Sequence, residues 1–323
     1  MHHFCTLFDN HYLLRGVALY QSLQAHKQPF TFWALCFDEA AYSAVVKLNK
    51  PNFRPVALGD FENGDDALLR AKVDRNRAEY FFTCSPSWPL YLLNKFPEID
   101  RITYLDSDLF FFAPPDPIFQ HMGDASVLII PHRFPAHLQY MERNGIYNVG
   151  LLSFRNDSKG RLCLTWWRDR CLEWCYDRLE DGKFADQKYL DRWPTLFEGV
   201  HVLEHKGANL APWNWMNYHI RDDAGQIWVD NDPLIFYHFQ GLKLLNPWLY
   251  DSGTLTYGLM PEHIHRLLYT PYLDGLHDAS RWLRQTSAIK RLGYTGIFSR
   301  NYGRKMFIRR LLSRQIILLR KSV

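Results

Sequence analysis

The first sixty residues constrain the fold more than any other part of the chain, because strand-like and helix-like runs alternate there without interruption. HHFCTLF (2–8) reads as a strand, and YLLRGVALYQSLQAHK (12–27) carries apolar positions at helical spacing. FTFWALCF (30–37) is a second strand, EAAYSAVVKLNK (39–50) a second helix and FRPVAL (53–58) a third strand. This β-α-β-α-β order predicts a mostly parallel central sheet flanked by helices, an α/β architecture. In such sheets ligands collect beyond the carboxyl ends of the strands.

Further along, residues 65–96 read as mostly helical with a break around CSPSWP, and RITYL (101–105) supplies the next strand. ASVLII and NVGLLSF follow as strands, then a Trp-rich helix near 158–180, the segment FADQKYLDRWP, and VHVLEH. A loop GANLAPWNWMN, a hairpin through IWVD and the strand LIFYHF complete this part. No repeat, low-complexity tract or Pro/Gly/Ser linker divides the first 260 residues, so the expected organisation is one catalytic-size domain over 1–260 and a C-terminal extension over 261–323.

RITYLDSDLFFF (101–112) sets Asp106 and Asp108 one residue apart directly after an apolar run. A buried carboxylate needs a partner or takes up a proton. Two of them at the mouth of a strand point to a shared cation. In YHFQGLK, His238 ends an apolar strand and is followed by Gly241 and Lys243. Two carboxylates and an imidazole suit Mn²⁺, which tolerates nitrogen better than Mg²⁺, the alternative ion. An ion so held is suited to bridging two phosphates of a nucleotide-sugar, with Lys243 adding charge and Gly241 close backbone approach.

Composition narrows the class. The chain has 323 residues, 47% hydrophobic and 22% charged, as in an ordinary globular protein. Its 11 Trp, 18 Tyr and 22 Phe are mostly core by general burial tendencies, although flat rings also suit sugar and nucleotide clefts. The six cysteines include no C-x-x-C, so neither a zinc knuckle nor a disulfide framework is indicated and reduced thiols are expected; Cys171 and Cys175 read as packing residues. No signal peptide or spanning run is visible, so a cytoplasmic location is expected.

The net charge of +4 hides an asymmetry. Ala279 to Val323 contains 12 Lys or Arg and no acid, while the rest of the chain is acidic. On a helical wheel Phe307, Ile308, Leu311, Leu312, Leu318 and Leu319 fall on one side, with Lys305, Arg309, Arg310, Arg314, Arg320 and Lys321 largely on the other. Such a helix is suited to lying on an anionic membrane surface, here the inner face. Docking on the acidic body is the alternative. Nucleic-acid binding is not expected, since the basic residues are confined to the tail rather than spread among aromatic platforms.

FCTLFDNHYLLRGVALYQSL, YLDSDLFFF, YNVGLLSF, FADQKYL, LAPWN and HFQGLK occur in the order of the landmarks of glycosyltransferase family 8, the group of glycogenin and the bacterial lipopolysaccharide galactosyltransferases. The chain resembles that family over about residues 3–250. The resemblance implies a GT-A nucleotide-sugar transferase fold, a Mn²⁺-dependent donor that is usually UDP-linked, and transfer with retention.

Carried over by position, the resemblance makes Asp106, Asp108 and His238 the metal ligands. Thr6, Asp9, Asn10 and Tyr12 match the loop holding the nucleobase, with Tyr12 placed to stack on it. Asn148 and Gly150 match an N-x-G segment beside the donor sugar, and Asp186 with Gln187 a D-Q pair at the reaction centre. Asn214 falls in an acceptor-side or sugar-side loop, and Gly241 with Lys243 at the diphosphate end. Two departures stand out. Lys243 comes one residue earlier than in the family pattern, with the Pro-Trp pair delayed to Pro247 and Trp248. The basic residue expected before D-x-D is met by Arg77 or Arg75, Arg77 being preferred because it leads into EYFFT.

The expected function is hexose transfer from a nucleotide-sugar to a glycan or lipid-linked acceptor, in lipopolysaccharide or other polysaccharide biosynthesis. Two other classes fit parts of the chain. YLDSD also resembles the start of haloacid-dehalogenase-type phosphatases, but Leu109 and Phe110 follow where Thr or Val is usual. A non-catalytic carbohydrate-binding or membrane-associated protein on a decayed transferase fold would not need the intact Asp106, Asp108 and His238.

Overall fold

The computed structural model describes residues 1–287, 292–296, 303–313 and 315–318. Strand β1 (His2–Phe8), helix α1 (Leu13–Ala25), strand β2 (Phe30–Cys36), helix α2 (Glu39–Leu48) and strand β3 (Phe53–Ala57) follow the predicted alternation. β4 (Arg101–Leu105), β5 (Leu109–Phe111), β6 (Val127–Pro131), β7 (Tyr147–Arg155) and β8 (Val200–Val202) come next. The large sheet has seven strands in the order β3-β2-β1-β4-β7-β6-β8. β7 is antiparallel to both neighbours and the remaining pairs are parallel.

Both faces of the sheet are buried, and the period of two sorts side chains between them. Phe4 and Phe8 of β1, with Phe32 and Ala34 of β2, face a core shared with α1 and α2. Cys5, Leu7, Trp33 and Leu35 face the other core, under the helices Arg77–Lys95 and Ser158–Glu173. All six cysteines are buried and free, Cys171 and Cys175 among them.

The helix Arg77–Lys95 runs straight through CSPSWP, where the two prolines predict a break. Around the prolines, Thr83 Oγ1 donates back to Glu79 O at 2.9 Å, and Ser85 and Ser87 reach the carbonyls of Phe81 and Thr83 at 3.4 Å. Pro86, Trp88 and Pro89 are buried, so packing overrides local propensity. The Trp-rich helix ends at Glu173, short of the expected 180.

The long helix Glu262–Thr286 lays Leu268, Tyr272, Leu273, Leu276 and Leu283 into the same core as α1. Beyond it, the basic amphipathic pattern forms a helix only over Arg304–Leu312. Ile316–Leu318 is a strand paired antiparallel with Leu249–Asp251, so Leu318 does not continue the helical face. Two β-branched isoleucines next to an open strand edge explain the change. The wheel positions Arg314, Leu319, Arg320 and Lys321 lie outside the described residues. Among the described residues no helix is long and apolar enough to cross a membrane.

Candidate active site

Three strand ends meet at one edge of the sheet. β1 and β4 are parallel neighbours, so the turn after Phe8 and the loop after Leu105 emerge side by side. β7 runs the other way, and its first residues return to that edge: Asp106 N–H donates to Gly150 O at 2.9 Å. Opposite, the strand Phe236–His238 pairs antiparallel with β5, and the register sets His238 against Leu109. Phe239 N–H donates to Asp108 O at 3.0 Å and closes the ladder.

Asp106, Asp108 and His238 thereby each present a ligand atom within 4.8 Å of the others. His238 Nε2 lies 3.1 Å from Asp108 Oδ1 and 3.8 Å from Asp106 Oδ2. That nitrogen is fully buried, yet among the described residues it makes no properly directed hydrogen bond. A buried lone nitrogen between two carboxylates fits a cation, and the donor set of two oxygens and one nitrogen suits a divalent ion. Burial raises the Asp106 carboxyl above its ordinary value, with the Asp108 charge adding to it against the pull of His238. Burial also acts against ionised Asp108, but His238 and then Arg15 hold it below the usual range. Burial opposes a charged His238 ring, and the neighbouring carboxylates overcome this and raise its pKa.

Asn148 and Gly150 pack directly behind His238. Asn148 Oδ1 accepts from Gly150 N–H at 3.0 Å and faces His238 Nδ1 at 3.2 Å. A Cβ on residue 150 would stand 2.5 Å from Asn148 Oδ1 and 2.8 Å from His238 Nδ1, so glycine is required by space. Trp213 packs edge-on against the His238 ring with centroids 5.3 Å apart.

Asp186 and Gln187 follow Ala185, which is held in the left-handed region at φ 45°. Such backbone is uncommon for a residue with a side chain and aims the next two at the site edge. Asp186 is buried, and burial, reinforced by the Asp106 charge, pushes its carboxyl up to about 8. The Tyr104 hydroxyl donates to Asp106 Oδ1 at 3.0 Å. Gln187 Nε2 donates to Asn144 O at 3.1 Å and lies over Gly145.

In the turn after β1, Asp9 Oδ1 accepts from the amides of His11 and Tyr12, and Asp9 Oδ2 from Arg77 Nη2 at 2.7 Å. Thr6 Oγ1 and Asn10 Oδ1 are buried without a hydrogen-bond partner among the described residues. Tyr12 is 45% exposed, with the Arg15 guanidinium 4.5 Å from its ring centroid. Arg75, the other basic candidate, is buried away from this turn and donates to Leu172 O at 2.7 Å.

The remaining expected residues lie around the rim. Asn214 Oδ1 accepts from Ala211 N–H, and its Nδ2 donates to His132 O and Asn209 O, all at 2.9 Å, so the amide ties its own loop to β6. Gly241 takes φ 81° in the turn after His238 and packs against Gly253, whose own Cβ would come 2.4 Å from Gly241 O. Lys243 begins the strand Lys243–Asn246, opposite Asp251.

Two residues to which the resemblance assigns no role belong to this site. Arg15 is buried in α1, donates to Leu242 O at 2.8 Å and sets its charge near Asp108. A lone arginine inside the apolar run LLRGVAL is the signal. His132, just past β6, touches Asn148 at 3.2 Å. The rule that sites gather at strand ends also points to it.

No family model matches the chain. It is 37% identical over 251 residues to YfnF, an uncharacterized protein of Bacillus subtilis (strain 168), covering 75% of this chain and 82% of that one. It is 31% identical over 284 residues to YfnD of the same organism, covering 87% and 89%. Among solved structures it is similar to the galactosyltransferase LgtC in complex with donor and acceptor sugar analogs. That match has TM-score 0.55 and 15% identity, and covers 90% of this chain and 98% of LgtC. The fold is therefore the GT-A fold found in glycosyltransferases, and the chain belongs to the family of YfnF and YfnD.

Proposed function

We propose that the protein is a glycosyltransferase that moves a hexose from a nucleotide-sugar, UDP-linked by preference, to a glycan or lipid-linked saccharide acceptor. The convergence of Asp106, Asp108 and His238 at the carboxyl edge of a GT-A sheet carries this reading. LgtC, a galactosyltransferase crystallised with donor and acceptor sugar analogs, supports it at the level of fold.

Transfer breaks the bond between the anomeric carbon and the diphosphate, so charge of opposite sign develops on sugar and leaving group. Asp106, Asp108 and His238 would hold a divalent ion, Mn²⁺ by the donor set, which would supply charge to neutralise the departing diphosphate. Lys243, at the diphosphate end by resemblance, and the buried Arg15 near Asp108 would add positive charge. Thr6 Oγ1 and Asn10 Oδ1, which lack partners among the described residues, offer hydrogen bonds to a base that stacks on Tyr12. Asp186, held largely protonated near neutral pH, both donates to and accepts from sugar hydroxyls.

Gln187 stands where a double displacement would need a nucleophile, and an amide is a poor one. Retention then follows from attack by the acceptor hydroxyl on the face the diphosphate leaves. The new carbon–oxygen bond forms as the old one breaks, and the hydroxyl proton passes to the departing phosphate oxygen. The helix Arg304–Leu312 exposes Ile308, Leu311 and Leu312 beside Lys305 and Arg309, which supports attachment to an anionic membrane on the cytoplasmic side, where a lipid-linked acceptor would be met.

Nucleotide release from a panel of UDP-, GDP-, CMP- and dTDP-sugars, with and without Mn²⁺, tests the reading. Slow Mn²⁺-dependent hydrolysis of one UDP-hexose is expected. Silence across the panel, with no donor binding by calorimetry, would favour a carbohydrate-binding protein on the same fold.

A further inference from the structure

A line of polar groups runs from the backbone of the loop before β7 to the candidate metal site, and backbone atoms at both ends fix its polarity. His132 Nδ1 lies 3.1 Å from Ile146 O, which can only accept, so Nδ1 carries the proton. Burial lowers the His132 pKa to about 4, so the ring is neutral and its Nε2 is an acceptor. Asn148 Nδ2, 3.2 Å away, therefore donates to it. The other end of the same amide is fixed independently: Gly150 N–H can only donate, and it points at Asn148 Oδ1 at 3.0 Å. That oxygen also faces His238 Nδ1 at 3.2 Å, so Nδ1 of His238 is the protonated nitrogen.

We propose that Asn148, oriented by His132, is a positioning residue that keeps a proton on Nδ1 of His238, so that Nε2 is the nitrogen a cation shared with Asp106 and Asp108 would take. Nε2 is the nitrogen that lies buried 3.1 Å from the Asp108 carboxylate. A lone pair facing two carboxylates is repulsive until a cation stands between them. With Nδ1 committed to Asn148 through this relay, the Nε2 proton is the one a cation displaces, and the tautomer protonated on Nε2 alone is disfavoured. The same amide is too fully engaged with Gly150, His132 and His238 for its main work to be contact with a sugar. This inference rests on reading Asp106, Asp108 and His238 as a metal site.

Calorimetric titration of the full chain with Mn²⁺ alone, at one slightly alkaline pH, tests it, with thermal melting of every variant as the control for folding. Wild type is expected to bind, and Asp108→Asn to lose binding. Asn148→Leu removes the acceptor and is expected to weaken Mn²⁺ about 10- to 100-fold, the range for outer partners of a ligating histidine. Asn148→Asp keeps an acceptor at the same place and is expected to bind as tightly as wild type or tighter. Should Asn148→Leu fail to fold, His132→Phe, which frees the amide to turn, is expected to weaken binding, and His132→Gln, which keeps an acceptor, to restore it. Unchanged affinity in both Asn148→Leu and His132→Phe overturns the proposal, as does equal loss in Asn148→Leu and Asn148→Asp. Absence of Mn²⁺ binding by wild type, or full binding by Asp108→Asn, overturns the metal reading and the relay with it, and is recognised before any variant of Asn148 is made.

Discussion

Arg77 Nη2 lies 2.7 Å from Asp9 Oδ2, joining the first turn of the helix Arg77–Lys95 to the turn after β1. Asp9 is nearly buried, while Arg77 is 61% exposed in its side chain. The other oxygen of Asp9 holds the amides of His11 and Tyr12, so the pair steadies the turn that presents Tyr12. Solvent screening limits its worth to about 1 kcal/mol or less. Arg77→Ala is expected to leave the melting temperature nearly unchanged and to raise the donor KM up to about fivefold with kcat retained, because the turn acts on binding alike in ground and transition states. Steady-state kinetics with the hydrolysed donor checks this, and a fall confined to kcat would contradict it.

Asp108 is backed by His238 and Arg15 rather than by solvent. Asp108→Asn keeps the shape and one carbonyl oxygen but removes the charge that a divalent ion needs. Turnover is expected to fall at least about 100-fold, the scale of losing a metal's charge stabilisation, while circular dichroism stays that of the wild type. Full activity in this variant would remove the metal from the mechanism.

The Asp186 carboxyl titrates at about 8 in the folded protein, against 3.8 as its ordinary value, because it is buried and lies near Asp106. Its folded pKa is raised, so the folded state holds a proton that the unfolded state releases between these values. The stabilising contribution is complete below the lower value and is lost as pH rises through the upper one. Between them stability falls by up to about 1.4 kcal/mol per pH unit from this group alone. Metal-free protein is expected to melt at progressively lower temperature from mildly acidic to mildly alkaline pH, and Asp186→Asn to flatten that slope. Equal slopes for the two proteins would show that another group carries it.

Gly150→Ala places a methyl group 2.5 Å from Asn148 Oδ1 and 2.8 Å from His238 Nδ1, neither of which is free to withdraw. Overpacking of this kind costs about 1–3 kcal/mol. Denaturant unfolding is expected to show that loss, accompanied by weaker Mn²⁺ binding, since the displaced groups are those behind the ligand. Weaker stability with unaltered metal affinity would mean that the strain relaxes away from His238.

Leu276 sits fully buried between the helix Glu262–Thr286 and the core of α1. Leu276→Ala is expected to lower stability by about 2–5 kcal/mol, as for a large-to-small change in a packed core. A chain ended before Glu262 would expose that whole apolar face and is expected to be insoluble. Soluble, folded protein from such a truncation would show that this helix is an accessory to the sheet.

How much was legible in the chain follows from the range of the forces involved. Alternating strands and helices up to Ala57, and the carboxylates of Asp106 and Asp108 at a strand end, depend on period and neighbours within a few residues, so the sequence by itself determined the doubly flanked sheet and the edge that carries the candidate site. Prolines 86 and 89 misled because burial of Trp88 and its neighbours outweighs the local cost of two lost amide donors. The tail misled because Ile316–Leu318 found a strand edge at Leu249–Asp251, a partner distant in sequence. Only the tertiary structure decided that His238 stands between the two carboxylates, since that depends on the ladder between Leu109–Phe111 and Phe236–His238. The same holds for His132 behind Asn148 and for Arg15 beside Asp108. Side-chain chemistry is written in the sequence, but distances between residues far apart in the chain are set by how whole elements pack, and the candidate site is made of such distances.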